Sequence, residues 1–209
     1  MHSAAVLRLT GTERGVAEVA AIAEHVASMT AATSAFRLQP DVPPATGPAA
    51  LSPLIAPLDQ AHAGDAAAAL SEIEAWMRDS LGLDYVPAAW RGLAHQPKLL
   101  ASTWKKERLI MGPGVLDELV KGCVALAAAE FRQSDYWISY YSHYLRTRVG
   151  LDDSALTEVA GAVMHYVSFN TIAHGMRIHP PVEDLTAADV APGGPREEVV
   201  PGVSRRRPT

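Results

Sequence analysis

The chain has 209 residues, of which 48% are hydrophobic and 6% aromatic, and its formal net charge at pH 7 is -5. That length and hydrophobic share suffice for one sizeable buried core, alone or with an appended helical segment. The one block of three consecutive basic residues is Arg205-Arg206-Arg207, in a place typical of a solvated tail. The charge pattern therefore argues against nucleic acid as a main partner.

Cys123 is the single cysteine, so no disulfide forms within the chain. This use of cysteine is typical of a reducing compartment, and we expect a cytoplasmic protein. Arg8, Glu13 and Arg14 stand where a secretory signal needs an apolar run. A run of about 18 apolar residues, as a membrane span requires, does not occur. The sequence therefore predicts a soluble protein with neither a signal peptide nor a membrane partner.

Proline positions divide the chain into three regions. Twelve of the 15 prolines lie within 40–57 and 180–208, and none lies between Gly114 and His179. Because an interior proline costs a helix about 3 kcal/mol, the proline-free stretch predicts consecutive helices. We expect an all-α protein with an N-terminal helical arm and Pro-rich connector over 1–58, a helical domain over 59–179, and an extended or disordered Pro-rich tail over 180–209.

Apolar spacing, first-turn prolines and capping residues predict the individual helices. In chain order they span 12–36, Asp65 to Ser80, Pro87 to about His95, Pro97 to about Met111, 115–132, 134–149, and Asp152 or Asp153 to His174 or Arg177. Gly82 and Gly150 are the predicted stops of the second and sixth helices.

The helix over 115–132 carries a carboxylate at the end of an apolar row. Glu130 shares this row with Leu116, Leu119, Val120, Cys123 and Ala127. A buried carboxylate must be paired, or its pKa rises, so Glu130 is a candidate general acid or base. The alternative is a helix-end glutamate that reaches solvent or pairs with Arg132 or another nearby base.

The helix over 134–149 holds the densest aromatic cluster of the chain. Tyr136, Ser139, Tyr140 and His143 follow one another at helical spacing and form a polar, aromatic row. Such a row is typical of a pocket wall with hydroxyls and an imidazole directed inward. The alternative is a set of tyrosines at a subunit interface, where amphipathic aromatic residues are common.

The last predicted helix adds His165 to the candidate residues, on a face with Ile172 and either Phe169 or Ser168. His143, His165, His174 and His179 fall close together in the sequence, but their spacings match no zinc signature, so no metal site is predicted. The sequence also has no phosphate-binding glycine loop, dinucleotide fingerprint or haem-attachment motif, and no cofactor is expected.

The stretch from about Asp65 to Ile178, over half of the chain, resembles the carboxymuconolactone decarboxylase and alkylhydroperoxidase D (AhpD-like) superfamily. Three segments carry the resemblance: VPAAWRGLAHQPKLLASTWKKERLIMGPGVLDELVKGCVALAAA, SHYLRTRVGLDDSALTEV and AVMHYVSFNTIAHGMRI. Their order and spacing are similar to those of the superfamily. The resemblance implies an AhpD-like helical bundle and a homo-oligomer. The predicted arm and tail are suited to wrapping around a neighbouring subunit.

The peroxidase branch of this superfamily carries the motif E…CxxCxxxH. Counted back from His143, its two cysteine positions fall on Tyr136 and Ser139, and its glutamate position falls near Val124. A thiol peroxidase needs one thiolate to attack the peroxide and a second thiol to resolve the product. Because Tyr136 and Ser139 do neither, the resemblance does not extend to two-cysteine peroxidase activity. A peroxidase that uses Cys123 alone is a distant third hypothesis.

The decarboxylase branch also lacks the cysteines and keeps a comparable histidine. There the resemblance implies a cofactor-independent lyase, decarboxylase or isomerase that acts on a small, often anionic substrate through an enolate-like intermediate. His143 is then the proton carrier, because its pKa is normally near neutrality. Tyr136 and Tyr140 are candidates for hydrogen bonds to an oxyanion. Arg146 is a candidate for a substrate carboxylate, or else a solvated cation near a helix end.

The remaining candidate residues complete this hypothesis. Ser139 would line the same pocket, and Glu130 and His165 are second candidates. The alternative is a protein of the same fold that binds a small molecule or assembles without catalysis, with Tyr136 and Trp137 filling the pocket.

Overall fold

Residues 12–41 and 52–177 are described by a computed structural model of the chain. In these ranges the protein is built from helices, without a strand, so the predicted all-α fold is confirmed. The α-helices are α1 Glu13–Phe36, α2 Ala67–Trp76, α3 Ala88–Leu93, α4 Pro97–Met111, α5 Glu118–Phe131, α6 Asp135–Tyr144 and α7 Asp153–Gly175. Gln60–His62 and Gly64–Ala66 form 3₁₀ turns, and Met77–Leu81 and Leu145–Val149 form π-helical turns.

Side-chain caps fix the start of three helices. Thr12 accepts a hydrogen bond from the Gly15 N–H at the start of α1. Asp117 and Asp152 do the same at α5 and α7, over 2.8 and 2.9 Å. Asp65, the predicted cap of the second helix, lies instead in a 3₁₀ turn, and α2 starts without a side-chain cap. The 3₁₀ turn leads directly into α2, so this start needs no separate capping side chain.

Helices α2 and α6 end in the same way. Each continues into a π-helical turn that a glycine with positive φ closes, Gly82 at 67° and Gly150 at 83°. Only glycine adopts this left-handed conformation without a steric penalty. The predicted stops at Gly82 and Gly150 therefore agree with the structure.

Helix α1 is part of the core, although the sequence predicts it as an arm. It packs against α4 and α5 and buries Ile22, Val26 and Met29. The predicted tail over 180–209 and most of the Pro-rich connector lie outside the described residues.

The buried face of α5 differs from the predicted apolar row. Leu119 and Val120 are 41% and 39% exposed, whereas Lys121, Gly122 and Ala125 are buried. A Cβ atom at Gly122 would lie 2.7 Å from Leu145 Cδ2. Small residues on this face thus allow α6 and its π-helical turn to approach closely, which outweighs the burial of larger apolar side chains.

Helix α7 packs against α5 near its start and contributes one buried residue, Leu156. Further along, large apolar side chains face solvent: Met164, Tyr166, Phe169, Ile172 and Met176 are each at least 54% exposed. Within the described ranges, no helix has the length and apolar character that crossing a bilayer requires.

Candidate functional site

A cavity of about 450 Å³ lies between α4, α5 and α6, next to the end of α2. We call it the aromatic cavity. Its lining residues are Trp76, Ser80, Glu107, Met111, Gly112, Pro113, Gly114, Leu116, Asp117, Glu118, Lys121, Tyr140, Tyr141 and Tyr144. The volume is in the range of small-molecule sites.

Ring-to-ring contacts hold the aromatic wall of the cavity in place. The Trp76 ring meets Trp104 edge to face, with the centroids 5.3 Å apart, and Trp104 meets Trp90 in the same way. On α6, the Tyr140 and Tyr141 rings are 5.2 Å apart at 85°. Edge-to-face pairs of this kind are favourable beyond their buried area, so the wall is preorganised.

Glu107 is the one buried carboxylate in the lining. The residue is 5% exposed, and one carboxylate oxygen makes a short hydrogen bond with Nε2 of His25 on α1. The other ring nitrogen of His25, Nδ1, is buried without a hydrogen-bond partner among the described residues. The pair thus joins a carboxylate and an imidazole, two side-chain types that serve in general acid–base catalysis.

Lys121 is also buried in the lining, but its ammonium group is fully engaged. Nζ donates to the carbonyl oxygens of Ile110 and Gly112, over 2.8 and 2.5 Å. Oε2 of Glu18 lies 3.8 Å from the same nitrogen. Lys121 thus fixes the end of α4 against α5 rather than presenting a free charge to a ligand.

Glu18 secures the turn that forms the rim of the cavity. Its carboxylate accepts hydrogen bonds from the N–H groups of Val115 and Leu116, over 2.8 to 3.0 Å. Burial by itself raises the pKa of Glu18, but these hydrogen bonds and the charge of Lys121 outweigh it, so the pKa lies below its ordinary value.

The tyrosine hydroxyls of the cavity stay protonated to high pH. Burial, and then the charge of Glu107, raises the pKa values of Tyr140 and Tyr141 well above the ordinary value. The Tyr140 hydroxyl donates to Sδ of Met77 over 3.4 Å. Sulfur is a weak acceptor, so a ligand oxygen can compete for this proton.

Of the residues predicted from the sequence as site residues, Tyr140 lines the aromatic cavity. Tyr136 does not line it. Its hydroxyl accepts from the Ala89 N–H over 3.1 Å and donates to Asp41 in a short hydrogen bond. These two bonds tie α6 to the start of α3, so the structure gives Tyr136 a structural role.

Glu130, Ser139 and His143 also lie outside the lining of the cavity. Glu130 has one buried oxygen, Oε2, without a partner among the described residues, and burial raises its pKa, as expected for an unpaired carboxylate. Ser139 and His143 are half-buried on α6. The structure therefore does not bring the three to one point with Tyr140.

Arg146 and His165, the last two predicted site residues, are exposed. Arg146 forms an ion pair with Asp153 over 2.8 Å, and both side chains are at least half exposed. His165 is exposed on α7, where its ring packs 4.5 Å from that of Phe169. Neither side chain lines the aromatic cavity.

The sequence reasoning missed Glu107, His25 and Lys121. A usable signal exists for the first two, because each polar residue interrupts an apolar helical row. Glu107 continues the buried row of Leu100 and Trp104, and His25 stands between Ile22 and Val26. A charged residue on a buried face predicts a buried partner, but nothing local indicates that the two residues face each other.

No group of three or more histidine, cysteine or carboxylate side chains within 12–41 and 52–177 is arranged to hold a metal ion. Cys123 is half-buried, and burial raises the pKa of its thiol. A raised pKa lowers the fraction of reactive thiolate at neutral pH.

Comparison with known proteins places this bundle. No protein-family model and no curated protein matches the chain. The crystal structure of the alkylhydroperoxidase AhpD core from Rhodospirillum rubrum ATCC 11170 aligns with a TM-score of 0.55 and 26% sequence identity. The alignment covers 64% of this chain and 96% of that one. The chain has an AhpD-like fold. The fold implied by the sequence resemblance is thus confirmed, and the AhpD-like bundle is the framework that carries the aromatic cavity.

Proposed function

We propose that the protein is a cofactor-independent acid–base enzyme that acts on a small metabolite bound in the aromatic cavity. The observation that carries this proposal is the buried Glu107 carboxylate, which lines a cavity of about 450 Å³ and is backed by His25. A buried carboxylate that lines a cleft and is hydrogen-bonded to an imidazole is a candidate for general acid–base catalysis. The AhpD-like fold is compatible with this proposal but does not identify the substrate.

The proposed step is the removal of a proton beside a carbonyl group. A C–H bond of the substrate breaks, its electron pair remains on the substrate as an enolate, and the proton moves to Glu107. The protonated tyrosine hydroxyls of Tyr140 and Tyr141 supply hydrogen-bond donors for the enolate oxygen. Return of the proton to the same carbon gives exchange, and return to another carbon gives an isomer.

This proposal moves the proton carrier from His143 to Glu107. His143 remains the sequence-based choice, but its ring does not line the cavity, whereas the Glu107 side chain does. His25 acts as a positioning residue that holds the carboxylate through its hydrogen bond. Two-cysteine peroxidase chemistry is not part of the proposal, because Cys123 has no second cysteine in the chain.

The test follows deuterium incorporation by NMR in heavy water. The probes are acetonyltrimethylammonium, its uncharged isostere methyl neopentyl ketone, and the keto acid levulinate, each incubated with the full chain. We expect exchange above the buffer rate with at least one probe. Glu107→Gln keeps the shape of the side chain and removes the base, so we expect the rate to fall at least about 100-fold.

Glu158→Gln is the matched control, because Glu158 is exposed on α7, outside the cavity. We expect this variant to keep the wild-type rate. An unchanged rate in Glu107→Gln, or the absence of exchange with all three probes, would contradict the proposal. Loss of exchange in His143→Gln, with Glu107→Gln unaffected, would restore the sequence-based assignment.

We also propose that the chain self-associates through α7. His165, Phe169, Ile172 and Met176 follow at alternating spacings of four and three residues and form one exposed row, which we call the α7 row. This spacing is typical of a helix that packs against another helix. A second copy of α7 supplies a complementary row, and closed symmetric pairing is the usual solution for soluble proteins.

A further inference from the structure

The charge of the aromatic cavity is opposite to that expected for an anionic substrate. Three acidic residues, Glu107, Asp117 and Glu118, line the cavity, and Lys121 is the basic residue among the lining residues. The formal sum is two negative charges. Since the Lys121 ammonium already donates to two carbonyl oxygens and lies 3.8 Å from Glu18, it has little capacity left for a ligand anion.

Three backbone N–H groups near the rim are also engaged. The N–H groups of Val115 and Leu116 donate to Glu18. The Val120 N–H, in the first turn of α5, donates to the Asp117 side chain. A helix start usually favours an anion, but here Asp117 and Glu118 already supply negative charge at that position.

The walls of the cavity have the composition that recognises an organic cation. The rings of Trp76, Tyr140, Tyr141 and Tyr144 line it. The faces of aromatic rings attract ammonium groups, and tryptophan does so most strongly. Burial, and then the charge of Glu118, raises the pKa of Tyr144, and both residues line the cavity. Aromatic faces and carboxylates thus occur together.

We propose that the aromatic cavity takes a substrate that carries a protonated amine or quaternary ammonium group. The cationic group lies against the aromatic wall near Glu118, and the reactive part of the substrate faces Glu107. This inference rests on the proposed function only in using the same cavity, because the charge preference is a property of binding.

The test measures dissociation constants by titration calorimetry for three probes of nearly equal size. Choline is the cation, and neohexyl alcohol is its isostere, in which a tert-butyl group replaces the trimethylammonium group. The tert-butylacetate ion is the anion. We expect choline to bind at least about tenfold more tightly than neohexyl alcohol, since the contact with desolvated aromatic faces adds to the attraction of the carboxylates. The anion should bind most weakly.

Two variants separate the contributions. Trp76→Leu keeps an apolar side chain without the aromatic face, and Glu118→Gln removes one charge. Each should weaken choline binding about three- to tenfold and leave neohexyl alcohol within about twofold. The control Glu158→Gln should change neither. Equal binding of the three probes, preference for the anion, or no binding at millimolar concentration would overturn the inference. Failed deuterium exchange with intact choline preference would reject only the catalytic proposal.

Discussion

The aromatic cavity and the exposed part of α7 differ in which side chains they bury. The cavity region buries charged groups, whereas α7 exposes large apolar ones. Around the cavity, Glu107, His25 and Lys121 are charged or titratable groups that are at least 95% buried. On α7, large apolar side chains such as Phe169 and Met176 are more than half exposed. Charged residues are almost never fully buried unless they are paired, and exposed apolar rows mark interaction surfaces.

The same bundle thus carries two regions where a further molecule could bind, a cavity with buried charged groups and a helix face with exposed apolar side chains. The cavity region satisfies its buried charges internally, through His25 with Glu107 and Lys121 with backbone carbonyls. The α7 row has no such internal solution within the described residues. A buried charge pair requires a fixed environment, whereas an apolar row only requires a surface of matching shape.

The largest expected effect is loss of the fold at alkaline pH, which starts in the cavity region. The pKa values of Tyr136, Tyr140 and Tyr141 are raised well above 10.0 in the folded chain, chiefly by burial. A group whose pKa is higher in the folded state stabilises the protein fully at pH values below its pKa in the unfolded chain. This stabilisation is lost as the pH rises through the pKa of the folded state. We therefore expect stability to fall above about pH 10.

The measurement is a spectrophotometric titration of tyrosinate beside circular dichroism. We expect the three buried tyrosines to ionise together with the loss of helix. Their ionisation in a fully helical protein would show that these hydroxyls reach solvent without unfolding, and the cavity region would then be no more closed than α7.

The second effect is the destabilisation caused by breaking the buried pair. His25→Ala leaves the Glu107 carboxylate buried without its partner, so we expect the free energy of unfolding to fall by about 3–5 kcal/mol. The neighbouring variant Glu24→Ala is the control on the same helix, because Glu24 pairs with Lys106 at the surface. Exposed pairs contribute about 1 kcal/mol or less. Urea unfolding measures both, and equal effects would contradict the special role of the buried pair.

The third effect concerns the α7 row. Phe169→Glu places a charge in the proposed contact between two copies, so we expect the dissociation constant of the assembly to rise about a hundredfold. Asn170→Glu makes the same kind of change at an exposed position of α7 outside the α7 row and should leave association unchanged. Sedimentation equilibrium measures the constant. A wild-type chain that is monomeric at micromolar concentration would contradict self-association.

Local sequence signals predict the elements of this fold well and the contacts between them poorly. Gly82 and Gly150 mark helix ends because their positive φ is a local requirement. Asp152, one of the two predicted caps of the last helix, marks a helix start for a similar reason. The pairing of His25 with Glu107 joins positions 82 residues apart, so no window of sequence contains it.

The candidate site was harder to predict than the fold because side-chain orientation on α5 and α6 depends on close packing. The apolar row of α5 suggests that Leu119 and Val120 are buried, but Gly122 and Ala125 occupy the contact. The buried face of α5 is thus rotated about the helix axis relative to the predicted one, and Lys121 lines the cavity. On α6, Tyr140 lies in the lining while His143 does not, although both belong to the row predicted from spacing.

The smallest expected effects come from replacing one glycine by alanine on α5, whose Lys121 lines the cavity, and one on α7. Gly122→Ala on α5 adds a Cβ that would lie 2.7 Å from Leu145 Cδ2 and 3.0 Å from Tyr144 Cε1. Gly161→Ala on α7 adds a Cβ with no atom within 4 Å. Both gain the helix propensity of alanine, about 1 kcal/mol, so the difference between them reports packing alone.

Overpacking a filled contact costs about 1–3 kcal/mol, so we expect Gly122→Ala to be destabilising by about 1 kcal/mol in net terms. Gly161→Ala should be stabilising by about 0.5–1 kcal/mol, since nothing opposes the gain in propensity. Urea unfolding of the two variants gives the comparison directly. Stabilisation by both would mean that α5 and α6 separate easily, and the wall that holds Tyr144 and Lys121 at the cavity would then be looser than the ring contacts and hydrogen bonds around it indicate. Opposite signs would establish that α5 and α6 meet in a tightly packed contact at Gly122, and that Gly161 on α7 faces open space.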